Sequence, residues 1–158
     1  MAATLPIAYL NGDFQALEEI RISPLDRGFL FGDAVYEVVP VHGSEPLLID
    51  AHVQRLNRSL GALRIDNPYS ETAWRELVAE LTTRNGGGSL AVYIQVSRGT
   101  DAGRDHAFPD GVTPTVFAMA TELVQHDYTD GVRAITLPDN RWGRCDIKAT
   151  ALLANVLA

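Results

Sequence analysis

Cysteine and lysine are almost absent from this chain of 158 residues, and no long hydrophobic run occurs in it. Its one cysteine, Cys145, excludes a disulfide within the chain and a cysteine metal cluster, and we expect a reducing, cytoplasmic setting. Because no run of about 18 apolar residues occurs, we expect no membrane-spanning helix, and residues 1–14 lack the pattern of a signal peptide. The 20 acidic and 13 basic side chains give a net charge of −7, which argues against nucleic acid as the main partner.

The scarcity of lysine is informative because the chain uses arginine at almost every other basic position. Of the 13 basic residues, the only lysine is Lys148. Arginine serves ion pairing and solubility, whereas a Schiff base requires a primary amine. Chance in an arginine-rich composition explains the count equally well, but Lys148 is the first candidate for covalent chemistry.

The spacing of apolar residues predicts an α+β fold. Helical spacing over residues 51–64 and strict alternation over residues 90–97 predict a helix and a half-buried strand. We therefore expect a two-layer sandwich of a mostly antiparallel sheet with two helices. The predicted strands are 7–10, 35–41 (broken by Pro40), 47–49, 90–97, 115–120 and 132–137, the predicted helices are 51–64 (capped by Asp50) and a second one between Ser70 and Asn85, and residues 25–33 are predicted as a loop.

The last ten residues, 149–158, are rich in alanine and leucine and predict an apolar helix. This pattern ends without a capping glycine or a basic last turn, so we expect the sequence to stop inside a larger protein. Docking of the helix onto the preceding domain is the alternative. On the first interpretation, residues 1–120 form an N-terminal α/β sandwich domain, and residues 121–158 form a linker and the beginning of a C-terminal domain.

Cationic side chains cluster in the polar loop over residues 98–109. Arg98, Arg104 and His106 lie there, and arginine binds carboxylates through paired hydrogen bonds. The loop is therefore a candidate trap for a substrate carboxylate, although the spacing alone favours an ordinary solvated loop.

Two further candidates come from the first long helix and from the strand before it. His52 and Arg55 are three residues apart and share a helix face, where an arginine near a helix N-terminus can hold a phosphate. Spacing alone favours a surface arginine. Tyr36 and Glu37 stand in an apolar strand, where a packed tyrosine with a hydrogen-bonded hydroxyl is the simplest interpretation.

Several motifs taken together resemble the N-terminal half of the D-amino-acid aminotransferases, in the fold-type IV class of pyridoxal-phosphate enzymes. They occur in the order of that family and span nearly the whole chain, and the Arg-x-His-x-Phe-Pro loop indicates the D-amino-acid branch. The motifs are residues 26–39 (DRGFLFGDAVYEVV), 52–56 (HVQRL), 97–100 (SRGT), 104–109 (RDHAFP) and 141–148 (RWGRCDIK).

The resemblance implies an enzyme that uses pyridoxal 5'-phosphate to exchange an amino group between a D-amino acid and a 2-oxo acid. Lys148 matches the lysine that forms the Schiff base with the cofactor and then moves the proton. Arg55 matches a residue that binds the cofactor phosphate, and His52 and Glu37 match positions beside the cofactor. No metal is implied.

Three positions match the trap for the substrate α-carboxylate in this family: Tyr36, Arg104 and His106. In the family the last two reach in from the neighbouring subunit, so the resemblance implies a homodimer. A trap fixed on one side of the substrate decides which enantiomer presents its hydrogen to the lysine.

The chain also departs from the family pattern. Residues 149–151 (Ala-Thr-Ala) replace a polar Ser-x-Asn, and Pro40 stands where relatives carry a polar residue near the substrate pocket. The C-terminal domain of the family, which supplies the acid that pairs with the pyridine nitrogen, has no counterpart in the sequence. The alternatives are a branched-chain or (R)-amine transaminase, an aminodeoxychorismate lyase, or a catalytically incompetent fragment of such an enzyme.

Overall fold

The structure of the chain is a computed structural model that describes residues 2–124 and 127–158. Residues 1, 125 and 126, which belong to the two predicted domain ranges, lie outside the described residues. The strands are β1 (Thr4–Leu10), β2 (Asp13–Ala16), β3 (Ala34–His42), β4 (Glu45–Pro46), β5 (Leu90–Ser97) and β6 (Thr115–Glu122). The helices are α1 (Arg27–Phe31), α2 (Ile49–Leu63), α3 (Glu71–Arg84) and α4 (Leu153–Leu157), with a 3-10 turn at Leu17–Glu19.

The strands form one antiparallel sheet in the order β2-β1-β6-β5-β3-β4, and α2 and α3 cover one of its faces. Alternate residues of the central strands point into this core, and each large apolar side chain buried there contributes about 1.5–3 kcal/mol. The core includes Val35, Val39 and Val41 of β3, Val92, Ile94 and Val96 of β5, Leu56 and Leu60 of α2, and Trp74 and Leu81 of α3. The predicted α+β sandwich with two long helices is confirmed.

Aromatic side chains line the other face of the sheet. Tyr36 of β3 stacks on Tyr93 of β5 with ring centroids 5.7 Å apart, and Tyr93 meets Phe117 of β6 at 6.4 Å. All three side chains are half-buried, in contrast to the buried residues that alternate with them. These three rings form a continuous aromatic row across β3, β5 and β6, on the face of the sheet away from the helices.

The edge of β3 is shared by two different segments. The short strand β4 pairs only with Val41 and His42, at the end of β3. Near the start of β3, Val35 pairs with Ala149, the Tyr36 amide donates to the Lys148 carbonyl oxygen at 3.0 Å, and the Thr150 amide donates to the Ala34 carbonyl oxygen at 3.0 Å. The return of residues 148–150 to this edge places the only lysine of the chain beside Tyr36.

Pro40 does not interrupt β3, contrary to the prediction. The strand runs through it because the Pro40 carbonyl oxygen, which accepts from the Leu47 amide at 2.8 Å, faces the β4 side. In an antiparallel ladder the nitrogen of a residue faces the same side as its carbonyl oxygen. The missing N–H of Pro40 therefore costs no bond to β5, which is the tolerated arrangement for proline at a sheet edge.

The prediction of a loop over residues 25–33 was wrong for its centre, which forms α1. Asp26 caps this helix by accepting from the Gly28 amide at 2.8 Å, and Gly32 ends it at φ +65°. A five-residue helix that contains Gly28 and ends at Gly32 carries too little periodicity to be recognised in a sequence.

The predicted strand over residues 47–49 and the predicted Asp50 cap were also wrong. The returning strand is only Glu45–Pro46, and Leu48 occupies the cap position of α2 in the left-handed region, at φ +49°. Asp50 lies in the first turn of the helix, where an acidic side chain interacts favourably with the helix dipole.

Predictions near the end of the chain were less accurate. Residues 132–137, all of them described, form no strand, and Val132 and Ile135 are 73% and 81% exposed. The predicted helix over 149–158 is reduced to Leu153–Leu157, because residues 149 and 150 pair with β3 instead. The domain boundary at residue 120 stays a prediction, and β6 itself continues to Glu122. Within the described residues, no helix is both long enough and apolar enough to cross a membrane.

Candidate active site

A cavity of about 540 Å³ lies where the segment around Lys148 meets β3 and α2. Its volume falls within the range of roughly 300–1,000 Å³ that is typical of small-molecule sites. Tyr36 from β3, Arg55 from α2 and Lys148 contribute the chemistry, and the rest of the wall comes from residues 141–155. These other lining residues are Arg141, Trp142, Cys145, Asp146, Ile147, Ala149, Ala151, Leu152, Leu153, Ala154 and Asn155.

The main chain of Lys148 is fixed from two sides. Its carbonyl oxygen accepts from the Tyr36 amide at 3.0 Å, and its amide donates to the hydroxyl of Ser59 on α2 at 3.3 Å. The side-chain nitrogen lies 3.9 Å from the centroid of the Tyr36 ring, within the range of a cation–π interaction. The amine is therefore held over an aromatic face inside the cavity.

Tyr36 is supported from behind by β5. The Tyr93 ring lies parallel to it within 29°, and the Tyr93 hydroxyl donates to Gln95 Oε1 at 2.7 Å. Burial, together with the neighbouring Tyr36, raises the pKa of Tyr93 to about 12. A protonated donor keeps the stacked pair in one arrangement.

Arg55 is tied to a buried carboxylate on the neighbouring strand. Glu37, only 1% exposed, accepts from Arg55 Nε and Nη2 at 2.6 Å each. These hydrogen bonds raise the pKa of Arg55 above its already high value, so the guanidinium stays charged. Among the described residues Arg55 Nη1 has no partner, which leaves this donor for an anion in the cavity.

His52 lies behind this ion pair. Its Nδ1 is 2.8 Å from Glu37 Oε2 and 3.3 Å from Arg55 Nη2. Because Glu37 accepts from the Arg55 guanidinium through both oxygens, this arrangement suits the His52 tautomer in which Nδ1 carries the hydrogen and donates to Oε2. His52 does not line the cavity that holds Lys148. Its predicted role at the cofactor stays a prediction. In the structure, its ring is hydrogen-bonded to the Glu37 carboxylate.

Arg104 and His106 do not join Tyr36 in this cavity within one chain. Both are exposed on the loop that follows β5, and their side chains pack against Phe31 of α1. The geometry is compatible with the expectation that they serve a neighbouring subunit, which stays a prediction.

Arg98 was a candidate for the carboxylate trap, and the structure commits it elsewhere. It is 7% exposed and donates to both oxygens of Asp33, from Nε at 2.7 Å and from Nη2 at 2.9 Å. Its remaining bonds go to the carbonyl oxygens of Leu63 and Arg64 at the end of α2. Arg98 thus joins the loop after β5 to the turn between α1 and β3 and to the end of α2, and its burial could not be detected from residue spacing.

The cavity wall formed by residues 152–155 was missed by the sequence analysis, because an apolar helix pattern gives no sign of what the helix faces. No group of three or more His, Cys, Asp or Glu side chains within residues 2–124 and 127–158 is placed to hold a metal.

Comparison with known proteins identifies the family. A family model described as amino-transferase class IV matches residues 34–158. The chain belongs to the class IV aminotransferases. The D-alanine aminotransferase of Staphylococcus aureus (strain N315) is 37% identical over 153 residues, which cover 95% of this chain and 54% of the relative. That of Bacillus licheniformis is 36% identical over 149 residues, covering 93% and 52%. The chain thus spans about half the length of these curated relatives.

Solved structures confirm the class IV fold. The branched-chain amino acid aminotransferase from Escherichia coli superposes with a TM-score of 0.79 at 20% identity, over 92% of this chain and 50% of that one. The branched-chain aminotransferase from Thermoproteus uzoniensis, solved with norvaline, superposes with a TM-score of 0.65 at 19% identity, over 79% and 42%. At such identities the likeness shows the fold alone.

Proposed function

We propose that the protein exchanges an amino group between a D-amino acid and a 2-oxo acid, with pyridoxal 5'-phosphate as cofactor. The observation that carries this proposal is the meeting of Lys148, Tyr36 and Arg55, from three separate segments, in one cavity. The similarity to proteins named D-alanine aminotransferase supports the choice of substrate class.

The residues of the cavity fit two parts of this cofactor. The primary amine of Lys148 suits its aldehyde, and the uncommitted Nη1 of Arg55 suits its phosphate. Asp146, which also lines the cavity, is committed to Arg144 through both of its oxygens, so it does not suit the pyridine nitrogen. When bound, the cofactor supplies an electron sink for the substrate Cα.

The side chains of this chain would divide the remaining work. The Lys148 amine would remove the proton from Cα of the D-amino acid in the first half of the reaction and would deliver a proton to Cα of the product amino acid in the second half, because a positioned amine is an effective general base. The Tyr36 hydroxyl binds the substrate carboxylate while its ring keeps the amine in place. Glu37 holds the Arg55 guanidinium in the orientation that the phosphate requires.

We further propose that the working form is a cytoplasmic homodimer in which Arg104 and His106 complete the carboxylate trap of the other subunit. Their position outside the cavity of their own chain supports this arrangement. Mixing K148A, which lacks the amine, with R104Q, whose trap is weakened, should then give more activity at low substrate than the two variants measured apart, because one site of each mixed dimer carries both intact residues. A mixture that shows no such gain while mixed dimers form would contradict the shared site.

Stereospecific amino transfer is the direct test of the function. The protein, as its gene encodes it, is incubated with pyridoxal phosphate, 2-oxoglutarate and either D-alanine or L-alanine, and pyruvate is measured. We expect pyruvate from D-alanine only, and none without the 2-oxo acid beyond one equivalent per site. Preference for an L-amino acid would support a branched-chain enzyme, and turnover without an acceptor would support a lyase.

A further inference from the structure

The loop that carries Arg104 and His106 is tied to the core by a buried arginine from α1, in addition to Arg98 at the start of the loop. Arg27, 3% exposed, donates from Nη1 to the Asp105 carbonyl oxygen at 2.6 Å. Its Nη2 lies 3.5 Å from the His106 carbonyl oxygen. Arg27 therefore holds the main chain of the loop at Asp105, which lies between the two exposed side chains, and at His106 itself.

An aromatic ring connects the same arginine to both side chains. The Arg27 guanidinium lies 4.7 Å from the centroid of the Phe31 ring, and that of Arg104 lies 5.0 Å from it. The His106 ring meets Phe31 at 5.4 Å. Arg104 and His106, though exposed, are thus packed on a ring that Arg27 itself supports.

Arg27 is in turn held rigidly. Its Nε donates to Asp33 Oδ2 at 3.0 Å, and its own amide donates to the Gly99 carbonyl oxygen at 2.9 Å. Asp33 is shared with Arg98, so the loop is fixed through two buried guanidinium groups and one carboxylate. A buried, satisfied network of this kind defines one arrangement of the groups that it contacts.

We propose that Arg27 is a positioning residue for the carboxylate trap: through the main chain of residues 105–106 and the Phe31 ring, it sets where Arg104 and His106 stand. This inference rests on the proposed function, in which those two side chains bind the substrate carboxylate. Lysine cannot replace Arg27, because a single ammonium lacks the planar fork that reaches Asp33 and the loop together.

A loosened trap should weaken substrate binding in the ground state and in the transition state alike. We therefore expect R27K to raise the KM for the amino acid about tenfold with kcat changed less than about threefold. R75K, which alters an arginine paired with Asp50 and Glu71 away from the loop, is the matched control and should leave both constants unchanged.

Dependence on the trap distinguishes positioning from a general structural role. In a background that already lacks both trap side chains, R104Q with H106Q, adding R27K should lower kcat/KM by no more than about twofold. A further loss of tenfold or more in that background would overturn the inference, because Arg27 would then act by another route.

A readout independent of activity is the hydrogen–deuterium exchange of the loop amides. We expect faster exchange over residues 100–109 in R27K than in the wild type, with no change in R75K. The variant F31L keeps every charge and the main-chain bonds from Arg27 and removes only the ring. It should raise the KM with a smaller change in loop exchange than R27K, and it tests the ring contact even if R27K fails to fold.

The outcomes separate this inference from the proposed function. If R104Q with H106Q leaves KM unchanged, the trap itself is wrong and the inference falls with it. If that variant raises KM whereas F31L and a folded R27K change neither KM nor loop exchange, the trap stands and the role of Arg27 is overturned.

Discussion

The side-chain nitrogen of Lys148 lies 3.9 Å from the centre of the Tyr36 ring, and a main-chain hydrogen bond of 3.0 Å joins the same two residues. The side-chain contact depends on the main-chain pairing, because residues 148–150 run along the edge of β3 that β4 leaves open. The proposed catalytic amine and the proposed carboxylate-binding ring are thus fixed relative to each other by backbone structure.

Substitutions at Tyr36 should separate the work of its ring from that of its hydroxyl. Y36F keeps the ring, so we expect normal cofactor affinity with a rise of about tenfold in the KM for the amino acid. Y36L removes the ring as well, so its affinity for pyridoxal phosphate should be about two- to fivefold lower than that of Y36F. Absorbance titration with the cofactor and steady-state kinetics measure the two effects. Equal behaviour of both variants would contradict this division.

The Glu37–Arg55 pair should contribute to stability and to cofactor binding. E37Q keeps the volume but loses two charge-assisted hydrogen bonds in a buried position, so we expect the free energy of unfolding to fall by about 2 kcal/mol and cofactor affinity to fall with it. Urea unfolding of the apoprotein and cofactor titration test this. E80Q breaks an exposed pair with Arg84 on α3 and should cost about 0.5 kcal/mol or less. Similar losses in both variants would count against a special role for the pair that the buried Glu37 forms with Arg55.

Gly99 has no room for a side chain. Its φ is +109°, and an added Cβ would lie 2.0 Å from the Thr113 carbonyl oxygen, which belongs to the main chain. We expect G99A to lower the free energy of unfolding by at least about 2 kcal/mol. Gly61 in α2 meets nothing within 4 Å, so G61A should instead stabilise the protein by about 0.5–1 kcal/mol. Thermal and urea unfolding compare the two, and a G99A variant as stable as wild type would refute the crowding.

Asp33 should make the protein sensitive to acid. Burial raises the pKa of Asp33, but hydrogen bonds from Arg98 and Arg27 outweigh burial and hold that pKa below the ordinary value of 3.8. The unfolded state therefore binds the proton first, so the stabilisation is complete above about pH 3.8 and is lost as the pH falls through the folded pKa.

The variant D33N tests this pH dependence. It leaves two buried guanidinium groups without their carboxylate, and we expect a loss of about 3 kcal/mol at pH 7. The difference from wild type should narrow as the pH falls below about 3.8, measured by urea unfolding at several pH values. The substitution D66N, at an exposed residue, serves as the control. Its free energy of unfolding should depend on pH in acid as that of the wild type does. A difference that stays constant down to pH 2 would contradict the ion pairs.

Elements with long, regular patterns could be predicted from the sequence. The alternation over residues 90–97 gave the bounds of β5, and helical spacing gave α2 and α3 to within a few residues. The predictions that were wrong concern segments whose structure is determined by tertiary contacts. Residues 149 and 150 favour a helix locally, yet they pair with β3. Helix α1 depends on the cap from Asp26, a side chain that is buried in the folded protein. Local propensity carries no information on such partners.

The candidate site could be predicted only through the family resemblance. No local pattern joins Lys148 to Tyr36, because the contact arises when the chain returns to the edge of β3. Residue type also failed to distinguish Arg98 from Arg104, since one arginine is buried against Asp33 and the other is exposed. Burial and partners, which decide what a guanidinium does, are properties of the fold.

Attachment of the cofactor to Lys148 is the most direct test of the central claim. The protein is incubated with pyridoxal phosphate, reduced with borohydride and mapped by peptide mass spectrometry, with K148A as the control. Because Lys148 carries the only side-chain amine in this chain, peptide mapping separates its adduct from one on the N-terminal amine of the protein. We expect the reduced adduct on Lys148 in the wild type, and in K148A no adduct on the peptide that contains residue 148. Transamination by K148A at the wild-type rate, or a wild type that is active without an adduct on Lys148, would contradict the claim.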